Sequence, residues 1–181
     1  MKYFLLHVCL ILCLPTVCSV KAQVKTGPVL DDFGPVYPIE DADLLPDSDR
    51  LYKVIFDVYT DERKSDRMNP LIHTVARFLN MHGQYGVAEE NMKLVLVLHG
   101  TATKNALSDD AYKKMAKKSN PNTALLKALS DKGVKIYVCG QSMKSKGFEA
   151  RDLSEHVRVS LSAMTALVKY QSEGYALINF N

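Results

Sequence analysis

The sequence contains no tryptophan, and three of its four cysteines fall within the first 18 residues. No Cys-x-x-Cys, no His-x-x-x-His and no carboxylate cluster at ligand spacing occurs, so the common zinc and helical metal sites lack support. Gly83-Gln84-Tyr85-Gly86 and Gly140 form no nucleotide-type glycine loop. No internal repeat is present, and beyond the N-terminal stretch no apolar run is long enough to span a bilayer, which needs roughly 20 residues.

The N-terminal stretch reads as an export signal. Met1-Lys2 gives a short basic start, and Tyr3 to Leu14 is almost wholly apolar until Pro15 breaks it. That length suits a signal h-region. Val20-Lys21-Ala22 places cleavage after Ala22, so residues 1–22 are expected to be removed. Cys18 follows Pro15-Thr16-Val17, which lacks the small residue expected before a lipidated cysteine. The mature chain is then expected to be periplasmic or secreted, with no membrane insertion. It keeps one cysteine, Cys139. A single thiol in an exported domain cannot staple the fold; it is a buried passenger, an intermolecular link or a reactive group.

Charge is unevenly placed. Residues 24–50 set Lys25 and Arg50 against seven carboxylates, a net of −5, whereas residues 51–181 carry +6. Four prolines and two glycines between residues 23 and 50 exclude a long helix there. This stretch reads as an extended acidic arm, docked through Val36-Tyr37-Pro38-Ile39 on its own domain or on a neighbouring subunit, with a disordered tail as the alternative for residues 23–33. The lysines of the remainder are dispersed rather than interleaved with aromatics, which argues against nucleic-acid binding.

From Leu51 strand and helix patterns alternate. Leu51–Val58, Lys93–His99, Val134–Cys139 and Tyr175–Phe180 read as strands. Pro70 opens a helix whose apolar positions are Leu71, Val75, Phe78 and Leu79, with Gly83 and Gly86 expected to end it. Ser108 caps a second helix with Asp109 and Asp110 in its first turn. Asn122–Lys132 forms a third, and Val157, Leu161, Met164 and Val168 form the stripe of a last one. The charge run Asp61–Arg67 reads as a solvated loop. Such alternation predicts one α/β domain over residues 51–181, a three-layer arrangement with a mostly parallel sheet of about five strands flanked by helices.

Ligands of such folds bind outside the carboxyl ends of the strands. Two chemically able residues stand there, His99 before Gly100 and Cys139 before Gly140. A thiolate is the reactive form of cysteine, and helix N-termini and nearby cations favour it. Ser142 is placed to cap a short helix after Cys139, and His99 to exchange a proton with the thiol if the two strands are neighbours. The competing readings are a buried strand-end cysteine and a hydrogen-bonded strand-end histidine. His73, His82 and His156 read as packing or surface residues. A Cys-His hydrolase would require the pair in contact, with a third group orienting the histidine.

Taken in order, several blocks resemble the DsrE/DsrF-like family: Tyr52–Asp57, Asn69-Pro70, Ala76–Asn80, Leu94–Gly100, Asn120-Pro121-Asn122, Val134–Ser142, and Ser162 through Ala176. The arm segment Tyr37–Asp43 is similar to that of exported members. The resemblance implies a homo-oligomer (dimer, trimer or hexamer) that handles sulfur as a persulfide on a strand-end cysteine, a role that falls to Cys139. His99 is expected to assist, with Gly100, Gly140, Gln141 and Asn69 binding the ligand. The expected partners are a sulfur donor or acceptor protein or a small sulfur compound, and no cofactor or metal is implied. The alternative is a non-enzymatic oligomeric module that binds a small ligand and keeps Cys139 for structure.

Overall fold

The computed structural model describes residues 26–61 and 66–180. The proposed leader and most of the Asp61–Arg67 run lie outside the described residues. Five strands form one parallel sheet: β1 (Tyr52–Val58), β2 (Met92–Leu98), β3 (Lys135–Cys139), β4 (Arg158–Ser160) and β5 (Ala176–Asn179), in the order β4-β3-β2-β1-β5. Helices cover both faces, as expected for a buried parallel sheet. Among the described residues no helix is long and apolar enough to cross a membrane.

Strand alternation separates two cores. Val54, Phe56 and Val58 of β1 join Leu94, Leu96 and Leu98 of β2 on the first face. There α1 (Pro70–Gln84) and α3 (Thr123–Asp131) bring Ile72, Val75, Leu79, Leu125, Leu126 and Leu129, all nearly or wholly buried. Each such side chain stabilises the fold by about 1.5–3 kcal/mol through burial. Ile55, Val95, Val97 and Cys139 point to the second face, under α5 (Ala163–Ser172).

The last helix differs from its expected form. Arg158–Ser160 is an edge strand, and α5 begins only at Ala163, capped by the Ser162 hydroxyl on the Thr165 amide. The helix buries Ala163, Ala166 and Tyr170, while Leu161, Met164 and Val168 are about 70% exposed (72%, 73% and 68%). Small residues let the backbone approach the sheet, so the large apolar residues that share a helical period with one another face outward.

The arm lies along α1. Val29, Leu30 and Val36 are buried. The Asn80 side chain, itself fully buried, holds five backbone groups. Its Oδ1 accepts from the amides of Val29 (3.1 Å) and Leu30 (2.8 Å). Its Nδ2 donates to the carbonyls of Leu30, Phe33 and Gly34 at 2.7–3.1 Å. Gly34 has φ +68°, and a Cβ there would sit 2.5 Å from the Ala76 backbone. Gly83 does not end α1, which continues to Gln84. A Cβ at Gly83 would sit 2.7 Å from Val29 Cγ2, so this glycine makes room for the arm rather than stopping the helix.

Two α1 histidines couple this packing to pH. His73 Nε2 accepts the Gly34 amide (3.0 Å). His82 stacks on Phe78 and meets Tyr52 edge-on. Burial pushes both pKa values down, aided at His73 by the Arg77 charge and opposed at His82 by its bond to the Phe78 carbonyl. The folded state therefore favours the neutral rings. Their contribution is full above the ordinary histidine pKa of about 6.5 and is lost as pH falls below it. The urea midpoint is expected to drop between pH 7.5 and 5.5, and a double His73→Gln, His82→Gln variant should show a flatter dependence. An equal drop in the variant would refute the assignment.

Candidate functional site

The residues at the carboxyl ends of β1, β2 and β3 share one face. Leu98 pairs with Val138, so the next step along the register sets His99 and Cys139 abreast on adjacent strands. Asp57, His99 and Cys139 have the same strand parity as Ile55, Val95 and Val97, on the α5 side of the sheet. No hydrogen bond joins Cys139 Sγ to His99 among the described residues.

Cys139 ends β3 and is the N-cap of α4 (Gly140–Ser145). The sequence assigned that cap to Ser142. Instead the sulfur takes the capping role, accepting the Ser142 amide at 3.4 Å. The thiol is buried, at 5% exposure. Burial raises its pKa, but the Ser142 hydroxyl and the amides of Ser142, Ala163 and Gln141 outweigh that and hold it below the ordinary thiol value. Hydrogen bonds to sulfur stabilise its charged form, so a larger fraction is thiolate at neutral pH.

His99 is held from the other side. Its Nε2 lies 2.7 Å from Asp57 Oδ1, and Asp57 Oδ2 accepts from Asn179 Nδ2 at 3.1 Å. A carboxylate facing Nε2 selects the tautomer with its proton there, which leaves the Nδ1 lone pair for proton exchange. The Tyr59 ring packs 5.1 Å from the imidazole. Asp57 and Asn179 went unassigned in the sequence, although a carboxylate inside the apolar run Val54–Val58 is a signal, since buried charge needs a partner.

Two of the glycines make this edge compact. Gly100 has φ +53°, and a Cβ there would lie 2.3 Å from Tyr59 Cε2. Its amide donates to the Ser142 hydroxyl at 3.3 Å, tying β2's end to α4. A Cβ at Gly140 would lie 2.9 Å from the Ser160 carbonyl, so glycine admits β4 close to the sulfur. Gln141 is exposed and donates to the Leu161 carbonyl (3.4 Å). Asn69 lies elsewhere in role. It is buried as the cap of α1, accepting the Leu71 amide and donating to the Thr60 carbonyl. Both polar atoms of its side chain are thereby engaged. Among the described residues no His, Cys, Asp or Glu group is arranged to hold a metal ion.

The DsrE/DsrF-like family matches this chain over residues 53–180. The fold is similar to that of a protein of unknown function, MTH1491, from Methanobacterium thermoautotrophicum, with a TM-score of 0.51 and 23% identity over 71% of this chain and 98% of that one. It is also similar to the ychN protein from E. coli, with a TM-score of 0.50 and 14% identity over 71% and 99%. No curated protein matches the sequence.

Proposed function

Because the chain belongs to the DsrE/DsrF-like family, we propose that it is an exported sulfur carrier that holds sulfur as a persulfide on Cys139. The carrying observation is the strand-end thiol whose pKa surrounding donors hold down despite burial. The Cys139 thiolate attacks the outer sulfur of a donor persulfide, R–S–SH. The donor S–S bond breaks, R–S⁻ leaves with its electron pair, and Cys139 becomes Cys–S–SH. An acceptor thiolate then attacks that outer sulfur and regenerates the Cys139 thiolate, so no external oxidant is needed. The transfers themselves balance without a proton; His99 takes the proton when the Cys139 thiol ionises and returns it when the thiolate is reprotonated, while Gly100, Gly140 and Gln141 shape the space around the sulfur.

Incubation with a low-molecular-weight persulfide is expected to add about 32 Da to Cys139, as one sulfur atom requires. The adduct should be lost in Cys139→Ser and released by an added thiol. An unmodified mass, under conditions that load another protein persulfide, would refute the carrier reading.

A second reading rests on the outward Leu161, Met164 and Val168, which form an apolar stripe of the kind that marks interaction sites. In it the chain is a homo-oligomeric binding module with a structural Cys139. That reading requires Cys139→Ser to keep the oligomer mass and take up no sulfur in either form.

A further inference from the structure

The first face of the sheet is not evenly covered. α1 lies over β1 and β2, and α3 over β3, but β5 extends the sheet beyond the flank of α1. The step between helix and edge strand is a trough of about 400 Å³. Phe56 forms its floor, and Phe78, Met81, Ile178 and Phe180 line it. Phe56 and Phe78 meet edge to face at 5.8 Å, which fixes one wall. The volume lies within the range of about 300–1,000 Å³ usual for small-molecule sites.

Among the described residues one charged side chain lines this trough, Arg77 of α1. Its guanidinium makes no hydrogen bond or ion pair with any described residue, although Arg77 is felt electrostatically by His73 one turn earlier. Thr74, at the same rim, spends its hydroxyl proton on the Leu71 carbonyl and keeps only acceptor capacity. Among the described residues, the polar end of the trough therefore offers one strong cation and little else. An apolar slot with a single cation suits a single-headed anion with a hydrocarbon body. Guanidinium binds carboxylate with two parallel hydrogen bonds.

We propose that this trough binds a chain monocarboxylate, with the carboxylate on Arg77 and the hydrocarbon along Phe56, Phe78, Ile178 and Phe180. A second copy of the chain fits poorly: a two-fold contact centred here would oppose two Arg77 charges across an apolar interface. The trough opens on the face of the sheet opposite Cys139, so this binding is independent of the sulfur chemistry.

The test is fluorescence titration of the purified chain with a polyene fatty acid below its micelle concentration, alongside its methyl ester. Saturable binding of the acid is expected, tighter than that of the ester. Arg77→Gln should weaken the acid about tenfold or more, as expected for a lost charged hydrogen bond, and leave the ester unchanged. Phe180→Ser, at an exposed position that the fold tolerates, should weaken both. Cys139→Ser should alter neither. Absence of saturable binding, equal affinity for acid and ester, or an acid affinity untouched by Arg77→Gln would overturn the proposal.

Discussion

Replacing Asp57 by alanine is expected to slow persulfide loading of Cys139 at least about tenfold and to destabilise the fold by about 3 kcal/mol. The carboxylate is 9% exposed and ties two elements at once, His99 on one oxygen and Asn179 on the other. Its loss leaves the Nε2 proton of His99 without an acceptor and frees the ring to turn or to change tautomer. Asp57→Asn separates the two effects. An asparagine oxygen can still accept from His99, but its amide nitrogen then faces the Asn179 donor. A purely structural role would lower the urea midpoint and leave the pH profile of loading per folded molecule unchanged. A positioning role moves that profile as well. Wild-type loading rates in Asp57→Ala, measured on folded protein, would remove Asp57 and His99 from the mechanism.

The second large effect is expected at Asn80, far from the sulfur. Asn80→Ala removes five hydrogen bonds between α1 and the arm, and each is worth about 1 kcal/mol net in a buried setting. Asn80→Asp should be worse despite its matching shape. Its first oxygen still serves the Val29 and Leu30 amides. Its second replaces a donor and is pressed against the carbonyls of Leu30, Phe33 and Gly34, which have no proton to offer. Hydrogen exchange should show the Val29 and Leu30 amides deprotected in both variants, more so in the aspartate. The β2 amides should stay slow to exchange. Retained protection in Asn80→Asp would show that the arm is held by its apolar contacts alone.

The strands and the main helices were legible because their signals are local. β2 is a near-continuous apolar run, α1 carries Pro70 at its start, and Ser108 does cap its helix at the Ala111 amide. The region around Val157–Val168 was misread because its apolar residues do share a helical period. Only tertiary packing decides that Ala163 and Ala166, not Leu161 and Met164, meet the sheet. The site was half visible. His99 and Cys139 stand out as chemistry-bearing residues at strand ends, but Asp57 reaches His99 across 42 residues and is tied to Asn179, 122 residues away in the chain. Gly83 misled for a related reason: a glycine that makes room for a distant segment looks, in one dimension, like a helix stop. Sulfur acting as its own helix cap left no sequence signal, since cysteine is not among the residues that usually cap.

The placement of β5 has a consequence for how the chain is made. β1 is among the first structured segments to leave the ribosome, yet one of its two flanks stays open until β5 emerges, since Val54 through Asp57 pair with Ala176 through Asn179. The same late arrival brings Asn179 to Asp57. A nascent chain therefore carries an interior strand with one flank unpaired until β5 is made. Chaperone demand should thus be set by the last strand rather than by the first, and stalled or truncated products lacking β5 should be the species that aggregate.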